Sequence, residues 1–192
     1  MVRYAITDGS SPAPELLKHA QRWAAEGVDF VQIREKNLAA GELAALARAM
    51  LEIFSGTRTK LLVNAKADVA AATGADGVHL TAHPDELAPS QVRRVFALAG
   101  RPTPVVSVSC HSVAEVARVA DAGANLILLG PVFEKRVAGV VVIAGVGLHT
   151  LREACVAAGG VPVLALGGIT QENAAACLDA GAAGVAGIRL FA

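Results

Sequence analysis

The 192-residue chain carries no formal net charge and is 54% hydrophobic with only 4% aromatic residues. A neutral balance excludes the basic face that a nucleic-acid partner needs, but not a small phosphorylated ligand, which backbone amides and one or two cations can hold. The length suits one domain, residues 1–192, and an apolar mass of Ala, Val and Leu suits small helices packed on parallel strands.

In chain order, Met1 to Asp8 lacks the apolar core of a signal peptide and reads as a strand. Eight strands are predicted: Arg3–Thr7, Phe30–Arg34, Lys60–Asn64, Gly77–Leu80, Val105–Cys110, Leu126–Gly130, Pro162–Leu166 and Gly184–Ile188. Helices are predicted between them, over 13–26, 41–54, 66–73, 89–99, 113–122, 148–158 and 171–180. Four helices end on a similar phrase, at Gly27, Gly74, Gly123 and Gly181, each followed by an apolar run. Glycine past a helix end takes the left-handed conformation without a Cβ clash, so each phrase marks an αβ unit. Ser112 is placed to cap a helix with Glu115 as its capping-box partner, and Thr170 has a weaker version of the same option with Asn173. Pro89 suits a first helical turn.

Strands alternating with helices throughout indicate an α/β fold, a (β/α)8 TIM barrel. An open doubly wound sheet lacks support, because no Gly-x-Gly-x-x-Gly follows the first strand. The chain is short for a barrel, which usually takes about 250 residues. It stops at Phe191-Ala192, leaving no sequence for an eighth helix. An exposed apolar flank between the first and seventh helices is therefore expected, and a second copy in a homodimer would cover it.

Cys110, Cys155 and Cys177 are widely spaced and odd in number, which fits a reducing cytoplasm better than a disulfide framework or a zinc site. The apolar run Val137 to Leu148 is too short and glycine-broken to span a bilayer, which needs about 20 apolar residues. It reads either as a loop buried against the barrel rim or as a lid that excludes water.

Barrel chemistry gathers at the C-terminal ends of the strands. The glycines Gly167 and Gly168, with Ile188 and Arg189 on the next strand, could cradle a phosphate through backbone amides, or simply form tight turns. Arg34 and Lys36 follow the second strand and could face an anion, or form a surface cluster with Glu35. His111 ends the fifth strand between Ser109 and Ser112, where an imidazole could remove and deliver a proton; His79 competes for that role. Cys110 should point to the opposite face from His111. No carboxylate cluster suited to Mg2+ is visible: Asp68 is alone near the third strand, and Asp85 and Glu86 are isolated.

From Tyr4 to Arg189 the chain resembles the thiamine phosphate synthase and TenI superfamily. The segments that carry the likeness are Tyr4-Ala5-Ile6-Thr7-Asp8, Gln32-Ile33-Arg34-Glu35-Lys36, Val63-Asn64-Ala65-Lys66-Ala67-Asp68, Ala75-Asp76-Gly77-Val78-His79-Leu80, Ser109-Cys110-His111-Ser112, Leu129-Gly130-Pro131-Val132-Phe133 and Leu166-Gly167-Gly168-Ile169. The superfamily fold is a (β/α)8 barrel. The synthase branch joins a pyrimidine diphosphate to a thiazole phosphate with Mg2+. Its pattern has Asn-Asp-Arg where this chain has Asn64-Ala65-Lys66, and a second metal-binding Asp where this chain has His79-Leu80-Thr81-Ala82-His83-Pro84. Asp85 could replace that second Asp with a one-residue shift. The hydroxyl-rich run that grips pyrophosphate is replaced by Lys135-Arg136-Val137-Ala138, whose two cations could compensate in part.

What remains looks like the TenI branch, a thiazole tautomerase that aromatises a carboxythiazole phosphate by proton transfer, with no metal implied. The resemblance then implies His111 as the proton shuttle and a phosphate resting on Gly167, Gly168, Ile188 and Arg189. Arg34 or Lys36 would hold the carboxylate, with Gln32, Asn64 and Ser109 completing the substrate site. The superfamily has a small hydroxyl residue near the end of its eighth strand where this chain has Arg189. Two alternatives stand beside this reading: an active synthase, and a non-catalytic relative that binds a thiazole phosphate.

Overall fold

The computed structural model of the protein describes residues 1–137 and 140–191. In chain order β1 (Val2–Ile6), α1 (Ala13–Ala25), β2 (Phe30–Ile33), α2 (Ala40–Phe54), β3 (Lys60–Asn64), α3 (Ala67–Thr73), β4 (Gly77–Thr81), α4 (Pro89–Leu98), β5 (Val105–Cys110), α5 (Val113–Asp121) and β6 (Leu126–Leu129) alternate. After them come β7 (Lys135–Val137), β8 (Val140–Ile143), α6 (Gly147–Ala157), β9 (Val163–Leu166), α7 (Ala174–Asp179) and β10 (Gly184–Gly187). Eight strands close a parallel barrel in the order β1-β2-β3-β4-β5-β6-β9-β10, and β10 pairs back onto β1 from Val2↔Gly184 to Ala5↔Gly187.

The helix-ending glycines behave as their chemistry requires. Gly27, Gly74, Gly123 and Gly181 all have positive φ. Pro89 opens α4, and Ser112 Oγ accepts the Glu115 amide at the start of α5. Thr170 and Asn173 cap each other reciprocally, so residues 171–173 form a turn and α7 starts later than the pattern predicts. The apolar segment read as a loop is different: β7 and β8 pair antiparallel outside the barrel, and the β-branched run in β8 explains the preference for a strand. Whether this hairpin acts as a lid, and whether Lys135 and Arg136 supply charge, turns on side chains outside the described residues, as does the departure at Ala138.

Strand alternation divides the core in two. Outward residues such as Val31, Leu61, Val78 and Val106 pack with Trp23, Met50 and Phe96 of the helices. Burying one side chain of the size of Phe96 contributes about 2 kcal/mol. Inward, Tyr4, Ile6, Leu126, Leu128, Leu164 and Ala186 fill one half of the barrel. The other half of the interior is polar, with Gln32, His79 and Ser107 all buried.

The expected apolar flank is absent among the described residues. Past β10 the chain makes a 3-10 turn, Arg189–Phe191, rather than a helix. Phe191 is 7% exposed, its carbonyl accepts from Trp23 Nε1 at 2.8 Å and from the Arg22 guanidinium, and Arg3 lies over its ring. Leu16, Ala20 and Trp23 of α1 are buried, and no large apolar side chain of α1 or α7 is exposed. A turn so short suffices because the aromatic ring fills the gap and the indole and guanidinium groups saturate its carbonyl. Among the described residues no helix is long and apolar enough to cross a membrane.

Candidate functional site

His111 directly follows β5 and is exposed, on the same strand face as Ser107 and Ser109. Two contacts position it. Its backbone N–H donates to Glu115 Oε2 at 2.6 Å, and its ring Nδ1 lies 2.5 Å from the carbonyl oxygen of Gly130 at the end of β6. A carbonyl can only accept, so Nδ1 carries the hydrogen, and in the neutral ring the lone pair is on Nε2. Nε2 has no hydrogen-bond partner among the described residues. The capping box is thus shifted by one residue: Ser112 caps Glu115, but the Glu115 carboxylate reaches past Ser112 to His111.

Beneath the rim runs a chain of polar side chains. Gln32 Nε2 donates to Asn64 Oδ1 at 2.9 Å, and Tyr4 Oη donates to Gln32 Oε1 at 3.2 Å. Tyr4 Oη also meets Ser107 Oγ at 3.1 Å, Ser107 Oγ meets His79 Nδ1 at 2.8 Å, and His79 Nε2 meets Ser109 Oγ at 2.6 Å. No buried side-chain nitrogen or oxygen among the described residues lacks a partner. Burial first, and the Arg34 charge second, hold the His79 imidazole well below its usual range, at about 3, so it is neutral at physiological pH. Burial pushes the Tyr4 phenol up, against the opposing effect of its Ser107 hydrogen bond. His79 is therefore a fixed hydrogen-bonding element and a weak base at physiological pH.

The glycine pair after β9 has a structural duty. Gly167 and Gly168 have φ +89° and +67°, and a Cβ on them would lie 2.5 Å from Pro131 Cβ and 2.7 Å from Phe133 Cβ. The loop after β6 thus packs directly on these glycines, with Val132 and Phe133 donating to the carbonyls of Leu166 and Gly167. Among the described residues none of the loop or cap hydrogen bonds uses the N–H of Gly167, Gly168 or Ile188. The Ile188 side chain packs against the inner core, and Arg189 is exposed without a partner among the described residues.

On β2's side, Arg34 is half-buried and its N–H donates to Thr7 Oγ1, while Lys36 is exposed. Glu35 accepts from the Gly9 amide at 3.2 Å. The structure therefore joins Gln32 to Asn64, and Ser109 to His79. Lys36 and Arg189 stand as separate charges on loops of the same end of the barrel. Cys110 points outward into the buried core, where burial pushes its thiol up to about 12, which removes it as a nucleophile.

Tyr4 and Ser107 were not singled out by the sequence pattern. One signal was present: Ser107 and Ser109 alternate with Val106 and Val108, which puts two hydroxyls on one face of an otherwise apolar strand.

The Mg2+ that the synthase resemblance implies would need one or two carboxylates beside a substrate diphosphate. Among the described residues no group of three His, Cys, Asp or Glu side chains converges. Ala65 stands at the end of β3, Asp68 is exposed on α3, and Asp85 is 92% exposed beside His83.

Fold and site define a (β/α)8 barrel whose mouth combines an open imidazole base with a buried polar chain. The chain belongs to the thiamine monophosphate synthase family, TMP-TENI, which it matches over residues 3–191. A protein of Aquifex aeolicus that bears the name thiamine-phosphate synthase 2 provisionally is 36% identical over 189 residues, 98% of this chain and 96% of that one. The thiamine-phosphate synthase of Methanoculleus marisnigri is 40% identical over 166 residues, 85% of this chain and 74% of that protein. The thiamine phosphate pyrophosphorylase of Pyrococcus furiosus shares the fold, with a TM-score of 0.79 at 24% identity over 100% of this chain and 88% of that one.

Proposed function

We propose that the protein acts in thiamine biosynthesis on a phosphorylated thiazole held at the barrel mouth. The names of the relatives favour the transferase reading, in which a thiazole phosphate and a pyrimidine diphosphate join to give thiamine phosphate and pyrophosphate. Against it stand Ala65 at the end of β3 and the exposure of Asp68 and Asp85.

For the isomerase reading one observation speaks: the Gly130 carbonyl holds the His111 Nδ1 hydrogen and leaves Nε2 open as a base. In that reading Nε2 removes a proton from the ring carbon of the carboxythiazole phosphate, and electrons shift through the ring toward the exocyclic carbon. The imidazolium so formed keeps its Nδ1–H bond to Gly130 and returns the proton from Nε2 to that exocyclic carbon. Nothing is oxidised, no group leaves, and the product is the aromatic isomer. Arg34 or Lys36 would take the carboxylate. The phosphate would lie at the amides of Gly167, Gly168 and Ile188, with Arg189 beside them.

Two parallel assays separate the readings. One follows aromatisation of the carboxythiazole phosphate by ultraviolet absorbance, with and without EDTA. The other follows thiamine phosphate formation from both half-substrates with Mg2+. Metal-free aromatisation that collapses in His111→Gln supports the isomerase. Thiamine phosphate formation without aromatisation overturns it in favour of the transferase.

A further inference from the structure

A continuous chain of hydrogen-bonded side chains runs inside the barrel. Six side chains from five strands or strand ends take part: Asn64, Gln32, Tyr4, Ser107, His79 and Ser109. Each link has one hydrogen to place, and His79 Nδ1 faces two neighbours, Ser107 Oγ at 2.8 Å and Tyr4 Oη at 3.4 Å, between which a single N–H is shared. A tyrosine or serine hydroxyl can donate only once, and a neutral imidazole has one N–H. These limits make the chain directional.

The direction follows from the amide of Gln32. Its Oε1 faces Tyr4 and its Nε2 faces Asn64, so the Tyr4 hydrogen is committed to Gln32. The contact between Tyr4 and Ser107 then carries a hydrogen only if Ser107 donates to Tyr4. Ser107 has no second hydrogen, so its contact with His79 must be filled by Nδ1–H of the imidazole. Nε2 of His79 is then bare, and the hydrogen in its 2.6 Å contact comes from Ser109. The opposite assignment at His79 would leave the Tyr4–Ser107 contact as two oxygens at 3.1 Å with no hydrogen between them.

We infer that this chain is a one-way hydrogen-bond relay that presents Ser109 to a ligand as an acceptor only, and Asn64 as a donor through its free Nδ2. Both groups belong to the barrel mouth, so the ligand consequence rests on the proposed binding there. A matching ligand offers an N–H or O–H opposite Ser109, and opposite Asn64 an acceptor such as a ring nitrogen or a carboxylate oxygen. Tyr4, Ser107 and His79 touch no ligand in this scheme. They are positioning residues that set polarity at the mouth from within the barrel, and full satisfaction of the buried chain is what makes reversal costly.

The test needs neither substrate nor activity. Long-range proton–nitrogen NMR on protein labelled with 15N-histidine reads the tautomer of each ring directly, and the His79 signals are those lost in His79→Gln. The expected result at pH 7 is a neutral His79 ring protonated on Nδ1. A ring protonated on Nε2, or an even mixture, overturns the proposal. A second variant checks the cause. In Tyr4→Phe the Ser107 hydroxyl loses its acceptor and becomes free to donate to Nδ1, so the tautomer should invert to Nε2–H. A folded Tyr4→Phe protein that keeps Nδ1–H overturns the claim that Tyr4 imposes the direction. Because the readout is on ligand-free protein, a failed activity assay and a failed relay are distinguishable.

Discussion

The carboxylate of Glu115 accepts the backbone N–H of His111 across 2.6 Å, and so ties the first turn of α5 to the residue that leaves β5. This bond holds the His111 backbone while the Gly130 carbonyl holds its ring. The imidazole is therefore aimed by two elements at once, which is how a side chain on a strand end acquires a defined direction.

Removing that tie should act on turnover more than on binding. Glu115→Ala leaves the His111 amide unpaired and lets the ring drift; a loss of about 1.4 kcal/mol in aim corresponds to a tenfold drop in kcat. Glu115→Gln keeps an accepting oxygen and should restore most of it. Steady-state kcat and KM for the three proteins check this. Equal KM with a kcat loss confined to Ala is the expected pattern.

His79 makes stability pH-dependent in a defined window. Its folded value, about 3, lies below the ordinary 6.5. Between these values the unfolded chain binds a proton that the folded chain refuses. Its contribution is therefore fully present above pH 6.5 and is lost as pH falls toward 3, at up to about 1.4 kcal/mol per pH unit. Asp8, whose carboxyl is held below its usual range by the Ser10 and Ser11 hydrogen bonds, acts in the same direction but only below the ordinary carboxylate value. Urea unfolding at pH 7, 6 and 5 should show the decline, and His79→Gln should flatten it.

Ala65 is the one described non-glycine residue with positive φ, at 59°, where Lys66 N–H folds back to the Asn64 carbonyl. A Cβ in this conformation costs roughly 1 kcal/mol. Ala65→Gly should raise stability by about 0.5–1 kcal/mol, and Ala65→Val should lower it by more, because a branched side chain tolerates the left-handed region worst. Denaturant midpoints for the two variants decide it.

Gly168→Ala would drive a methyl group into Phe133 at 2.7 Å while also holding a positive φ. The expected cost is about 1–3 kcal/mol, together with movement of the loop after β6. Thermal unfolding measures the first, and the intrinsic amide-exchange pattern of residues 131–134 the second. A stable variant with an unmoved loop would contradict the packing role assigned to this glycine.

Local chemistry explains what the chain discloses before folding. Alternation in Val105–Cys110, the Ser112–Glu115 cap and the four helix-ending glycines act over a few residues, so they mark the barrel and the place of His111 directly. The hairpin of β7 and β8 was missed because a short glycine-broken apolar run satisfies loop and strand patterns alike. The flank was misjudged because one aromatic ring, Phe191, covers it from a site 168 positions along the chain from Trp23.

The amino-acid sequence by itself determined the alternation of strands and helices, the family, and the strand ends where chemistry gathers, since these follow from periodicity and from residues adjacent in the chain. Only the tertiary structure decided that Tyr4 meets Ser107 across 103 positions, that Gln32 meets Asn64 across 32, and that Gly130 fixes the tautomer of His111. The physical reason is closure of the barrel. Bringing the first strand against the last encloses an interior in which each polar side chain must find its partner on another strand, and no pattern along one strand specifies which partner that is.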